Sequence, residues 1–178
     1  LKASELTQDL VDSVELENLS TIYLYKHPEL NITILRPCNI AGPGVRNTFL
    51  CFLSEKRSPV LWGFFPLMQF IHIDDMRDAI CVAFEKNIRG VYNVAPNDYI
   101  ALQAAIHEAG SKTVPIPSIP PTLTESISRF LKWKSFPPYL INYFKYPVII
   151  DGNLFTKTFD FKPKKTLKDI FNYYKSLK

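Results

Sequence analysis

"ITILRPCNIAGPGVRNTFLCFL", residues 32–53, decides how the chain is read. An apolar run, Ile32 to Leu35, stops at Arg36-Pro37. Gly42-Pro43-Gly44 follows, and then an apolar stretch with helical spacing. Strand, glycine loop and helix in that order is the layout of a phosphate-binding turn. Such a turn needs glycines directly after the strand, N–H groups facing the pyrophosphate, and an acid about 20 positions on. Here Arg36 to Ala41 separate the strand from the first glycine, and Asn47 follows the pair where a third glycine is needed. Pro43 removes one N–H. No acid closes a strand near residue 64. The stretch imitates a pyrophosphate cradle without being one.

The flanking elements set the class. Apolar residues recur at three- and four-residue steps over 5–26, which predicts a helix ended by His27-Pro28. NITILR (31–36) is β-branched and reads as a buried, parallel-type strand. A helix is predicted over 48–56, then strands at VLWG (60–63) and MQFIHI (68–73). Asp74-Asp75 opens a helix through Lys86, and VYNVA (91–95) is the next strand. ALQAAIHEAG (101–110) is a helix closed by its glycine, and TVPIP (113–117) is extended. Further helices are predicted over 122–134 and 166–177, with proline-rich connections between. Alternating strands and helices make the class α/β.

At 178 residues, 47% hydrophobic and 21% charged, the chain has the balance of one globular unit with a real core. No apolar run reaches the roughly 20 residues that span a bilayer, and the acidic, mixed first residues do not read as a signal peptide. Cys38, Cys51 and Cys81 lie on apolar segments without metal-ligand spacing. They read as reduced, structural thiols in a cytoplasmic-type compartment, with no metal site. Charge is uneven: residues 1–128 carry 10 Lys+Arg and 14 Asp+Glu, residues 129–178 carry 11 and 3. A basic end of this kind is a solvated lysine face or meets an anionic surface. Nothing in it resembles a nucleic-acid-binding module.

Three stretches in order, ILRPCNIAGPG, QFIHIDDMRDAICVAF and GVYNVAP, resemble the second half of the extended short-chain dehydrogenase/reductases, the NAD-dependent epimerase/dehydratases. The resemblance covers about residues 13–110 and is looser to 178. It implies the C-terminal half of a Rossmann-type doubly wound parallel sheet (1–110, with the start of a substrate lobe) and a basic, aromatic substrate-lobe region (111–178). It implies NAD or NADP in the whole family protein, and a hydroxyl-bearing small-molecule substrate such as a sugar. Pro37, Cys38 and Asn39 would border the cofactor, and Asn39 would also face substrate. Gln69, His72, Tyr92 and Asn93 would lie toward the substrate. Residue chemistry offers other roles for several of these. Asn39 can satisfy loop backbone. His72 can be a hydrogen-bonded core histidine, and Tyr92 can simply pack. The Asp pair can cap its helix.

The resembled family also shows where this chain departs. Its catalysis rests on a Tyr-x-x-x-Lys helix, in which the tyrosine is the general acid/base and the lysine lowers its pKa. In the family the lysine precedes the Leu-Arg-Pro motif by roughly two dozen residues. Counting back from Arg36 lands on Ser13, and the tyrosine place falls on Asp9. The literal Tyr174-x-x-x-Lys178 reads as a chance match on a surface helix. No catalytic residue is therefore assigned. Many nucleotide-sugar members place a phosphate-binding arginine two residues before the corner aromatic, Phe70; here that residue is Met68. The chain opens at a helix with no strand before it. It is expected not to bind NAD(P) or act alone, with a second copy or a missing N-terminal half completing it. A degenerate, non-catalytic binding role is the alternative. RFLKWKSFPPYLINYFKYPVII (129–150) reads as a pocket wall, as core with solvated lysines, or as a membrane-surface segment.

Overall fold

A computed structural model of the chain describes residues 8–46, 48–117 and 140–178. The helix predicted over 122–134 lies outside them, as does the first half of 129–150.

Helix α1 (Gln8–Lys26) runs into strand β1 (Thr33–Pro37), and one residue later the chain starts β2 (Asn39–Ala41). The turn at 42–44 leads to α2 (Thr48–Ser54) and β3 (Arg57–Leu61). Next come β4 (Leu67–Met68), β5 (Phe70–His72) and α3 (Ile73–Lys86). Then follow β6 (Gly90–Val94), β7 (Ile100–Ala101), α4 (Leu102–Glu108) and β8 (Lys112–Ile116). The last described elements are α5 (Leu140–Lys145), α6 (Asn153–Phe159) and α7 (Leu167–Ser176).

The strands pair across long separations. β1 lies parallel to β6, with Thr33 opposite Gly90 and Pro37 opposite Val94. β2 lies parallel to β5, and β3 parallel to β8. Only β4 with β7 is antiparallel among the described pairs. This is the α/β class with parallel pairing that the sequence predicts.

Local differences have local causes. MQFIHI is not one strand: β4 and β5 pair with different partners, and Gln69 sits between them. Ile73 already belongs to α3, because the His72 side chain caps that helix by accepting the Asp74 N–H at 3.1 Å. VLWG shifts to Arg57–Leu61, and Gly63 turns the chain with φ of 82°. Helix α6 falls where only a connection is predicted. Asp151 Oδ1 accepts the Asn153 N–H at 2.9 Å and starts it. In α1, Leu16, Leu19, Ile22 and Tyr23 are exposed, and among the helix residues whose burial is described Leu24 is buried. The apolar stripe that predicts α1 therefore does not face the described core.

Two cores result. One gathers Leu50, Leu53, Met68, Phe70, Phe144 and the Ile170, Phe171 and Tyr174 face of α7. The other gathers Ile71, Met76, Tyr92, Phe155, Phe159 and Phe161. Adjacent residues of β5 feed different cores, since strand side chains alternate between faces. In the second core Tyr92 meets Phe159 edge-on at 4.9 Å, and Phe155 stacks on Phe159 at 4.5 Å. The Tyr174 match corrects the surface reading: α7 is amphipathic, and Tyr174 is 2% exposed in the first core.

Candidate functional site

β1 ends beside β6, and the chain crosses to pair with β5 within two residues. The Cys38 N–H donates to Val94 O at 3.1 Å, and Asn39 already faces Phe70 in the next pair. That step puts Pro37, Cys38 and Asn39 at the C-terminal end of β1. Open parallel sheets bind their ligands at this end. A cavity of about 970 Å³ opens there. Ser13, Pro37, Cys38, Asn39, Val45 and Tyr143 contribute to its wall.

Two polar side chains on this wall, Cys38 and Asn39, have defined states. Burial pushes the Cys38 thiol from 9.0 up to about 12, so it stays protonated near neutral pH. Asn39 donates its Nδ2 to the backbone carbonyl of Gln69 at 2.9 Å. Gln69 is 3% exposed and uses both ends of its amide. Its Nε2 donates to Pro96 O at 3.0 Å, and its Oε1 accepts the Ile150 N–H at 2.7 Å. It thereby pins the loop before β7 and the segment after α5 behind Asn39.

The turn beyond the wall is glycine by necessity. Gly42 has φ of 129° and Gly44 has 77°. A Cβ on Gly42 would lie 3.1 Å from His72 Nε2. The Gly42 N–H donates to the hydroxyl oxygen of Tyr174 at 3.2 Å, and burial raises the pKa of that phenol. Helix α7 therefore supports the turn from below.

The remaining predicted residues face elsewhere. His72 is buried and spends Nδ1 on the α3 cap. Tyr92 is buried among Phe155 and Phe159, with its hydroxyl donating to Arg89 O at 3.1 Å. Asn93 donates to Asp151 O at 3.2 Å. Asp75 does not cap its own helix. Its two oxygens accept the N–H groups of Lys164 and Lys165, both at 2.9 Å. The cavity thus gathers Pro37, Cys38 and Asn39, backs them with Gln69, and leaves His72, Tyr92 and Asn93 to the scaffold.

Sequence reasoning missed Val45 and Ile73 as wall residues, whereas Tyr143 and Ile150 fall in the stretch 129–150, for which a pocket wall is one expectation. Tyr143 carried a usable signal, the aromatic clustering of 129–150. The described part of that stretch plays several roles: Tyr143 lines the cavity, Phe144 is core and Tyr146 is exposed. Among the described residues no helix is long and apolar enough to cross a membrane.

Parallel pairs joined by a ligand-side step at the strand ends define a Rossmann-type α/β protein. Residues 14–95 match the model of the NAD dependent epimerase/dehydratase family. An uncharacterized protein of Mycobacterium tuberculosis is 24% identical over 163 residues, and one of Mycobacterium bovis is equally similar. The alignments take in 92% of this chain and 43% of those relatives, so the chain spans less than half their length. Among solved structures, RMD from Pseudomonas aeruginosa complexed with NADPH superimposes with a TM-score of 0.66 at 14% identity, covering 98% of this chain and 60% of that one. UDP-glucuronic acid 4-epimerase from Bacillus cereus, in complex with UDP-glucuronic acid and NAD, gives 0.64 at 19% identity, covering 99% and 58%. At these identities the likeness concerns the fold.

Proposed function

We propose that the chain forms the substrate-facing half of an NAD(P)-dependent epimerase-, dehydratase- or reductase-type site, and that it does not complete this site by itself. Pro37 and Cys38 border the nicotinamide ring, and Asn39 faces a hydroxyl-bearing substrate. One observation carries this reading. The three residues stand together at the C-terminal end of β1 and open onto one cavity. Gln69, His72, Tyr92 and Asn93 act behind that wall, as its positioning frame.

A second reading, binding without catalysis, is favoured by Ser13. It lines the same cavity at the place where counting back from Arg36 puts the resembled family's lysine. A hydroxymethyl group there cannot supply the charge that lowers a tyrosine pKa.

Calorimetric titration separates the possibilities. The 178-residue chain alone is expected to give no heat with NADH, and a micromolar Kd would contradict the two-part site. The same chain joined to the part of the Mycobacterium tuberculosis relative that it does not span is expected to bind NADH. Absence of binding there removes the cofactor assignment. Turnover by that joined protein decides between catalysis and binding.

A further inference from the structure

The wall at Asn39 has a fixed polarity. A carbonyl oxygen can only accept, so Asn39 must turn its amide nitrogen to Gln69 O. Its Oδ1 is the end that takes no hydrogen bond from any described residue. Asn39 cannot easily exchange the two ends, because the Gln69 backbone is held on both sides. The Gln69 side chain bonds Pro96 on one flank and Ile150 on the other.

Apolar side chains make up most of the lining around that acceptor, with Ser13, Cys38 and Tyr143 as its other polar side chains. Pro37, Ile40, Val45, Ile73 and Val148 flank it on the cavity wall. Cations close in sequence are turned away: Arg36 donates Nε to Glu17 on α1 at 2.8 Å, and Arg46 is exposed and outside the lining. Met68, at the position where a phosphate-binding arginine would stand, is fully buried in the first core. An acceptor with apolar flanks matches a ligand that brings a donor. A phosphate oxygen placed at Asn39 Oδ1 would meet a second acceptor.

We propose that this wall takes an uncharged, partly apolar ligand that donates a hydroxyl hydrogen bond to Asn39 Oδ1, and not the diphosphate of a nucleotide sugar. The inference rests on reading the cavity as the substrate site. Such a ligand has a sugar-like or alcohol hydroxyl at one end and a hydrocarbon body along the Ile40, Val45 and Val148 side.

The test is a nuclear magnetic resonance titration of the nitrogen-15-labelled 178-residue chain. The probes are octyl glucoside below its micelle concentration and UDP-glucuronic acid. Octyl glucoside is expected to give saturable shifts of the Asn39 side-chain amide and of the backbone amides at 38, 40 and 45. UDP-glucuronic acid is expected to leave those signals in place. Asn39→Ala, which keeps the Gln69 side-chain bonds, is expected to weaken octyl glucoside binding at least fivefold. Equal affinity of Asn39→Ala and the unaltered chain overturns the inference. Shifts along this wall with UDP-glucuronic acid but not with octyl glucoside overturn it too, while leaving the cavity standing as a substrate site. No shift from either probe removes both readings.

Discussion

The two cores are built by different means, and the site depends on both. The core around Phe155 closes the outer side of β6 with aromatic edges. Gly152 lets that layer approach: a Cβ there would fall 2.2 Å from Ala95 O. The core around Phe171 lies under β5 and the glycine turn, and reaches the site through the Tyr174 hydroxyl. One core fixes where the strands end; the other fixes where the chain goes next. Asp75 joins them, since it stands on α3 and grips the two residues just before the α7 cap.

This division makes graded predictions. Phe155→Ala removes the ring shared by Tyr92, Phe159 and Phe161. It should cost about 4 kcal/mol in urea unfolding, in line with other buried Phe→Ala changes. A loss below about 1 kcal/mol would mean that α6 is not a true wall of that core. Asp75→Asn keeps the shape but offers one acceptor where two N–H groups converge. A cost of about 2 kcal/mol is expected. Hydrogen exchange should quicken at Lys164 and Lys165 before it does in β1. Uniform quickening over the whole chain would deny Asp75 its role as a join. Tyr174→Phe keeps the packing and removes only the acceptor of the Gly42 N–H. It should cost about 1 kcal/mol, with faster exchange confined to the turn at 42–44. No change at Gly42 would uncouple α7 from the site.

Much of this was legible in the residues. The α/β order and the parallel character of β1 follow from periodicity and from the β-branched composition of the strand. Rejection of the glycine turn as a phosphate cradle rests on spacing, on the N–H that Pro43 removes and on the missing acid near residue 64. The rest depends on contacts between distant residues. No local pattern shows that Gln69 interrupts a strand to hold Pro96 and Ile150, which lie 27 and 81 positions away. Helix α6 is seven residues long and starts at a glycine, too short for periodicity to stand out. The helix at 166–177 was legible, but the lysines around Tyr174 suggested a surface helix and hid its buried face, Ile170, Phe171 and Tyr174, written at three- and four-residue spacing. Cap chemistry pointed to the aspartates, whereas the preceding His72 reaches the helix N-terminus first.

The central proposal is that Pro37 and Cys38 border the nicotinamide of a bound cofactor. Cys38 offers a direct reporter, with exposed Cys51 and Cys81 as internal controls. Its raised pKa means that thiolate, and with it alkylation, grows as pH rises toward about 12; the buried neutral thiol favours the folded chain below 9.0, and that preference is lost across the same interval. At pH 8, in the chain joined to the rest of its longer relative, iodoacetamide should therefore label Cys38 at least tenfold more slowly than Cys51 or Cys81. Saturating NADH should slow Cys38 labelling several-fold further and leave the other two unchanged. Labelling of Cys38 at the same rate with and without NADH, in a protein that binds NADH by calorimetry, would contradict the account.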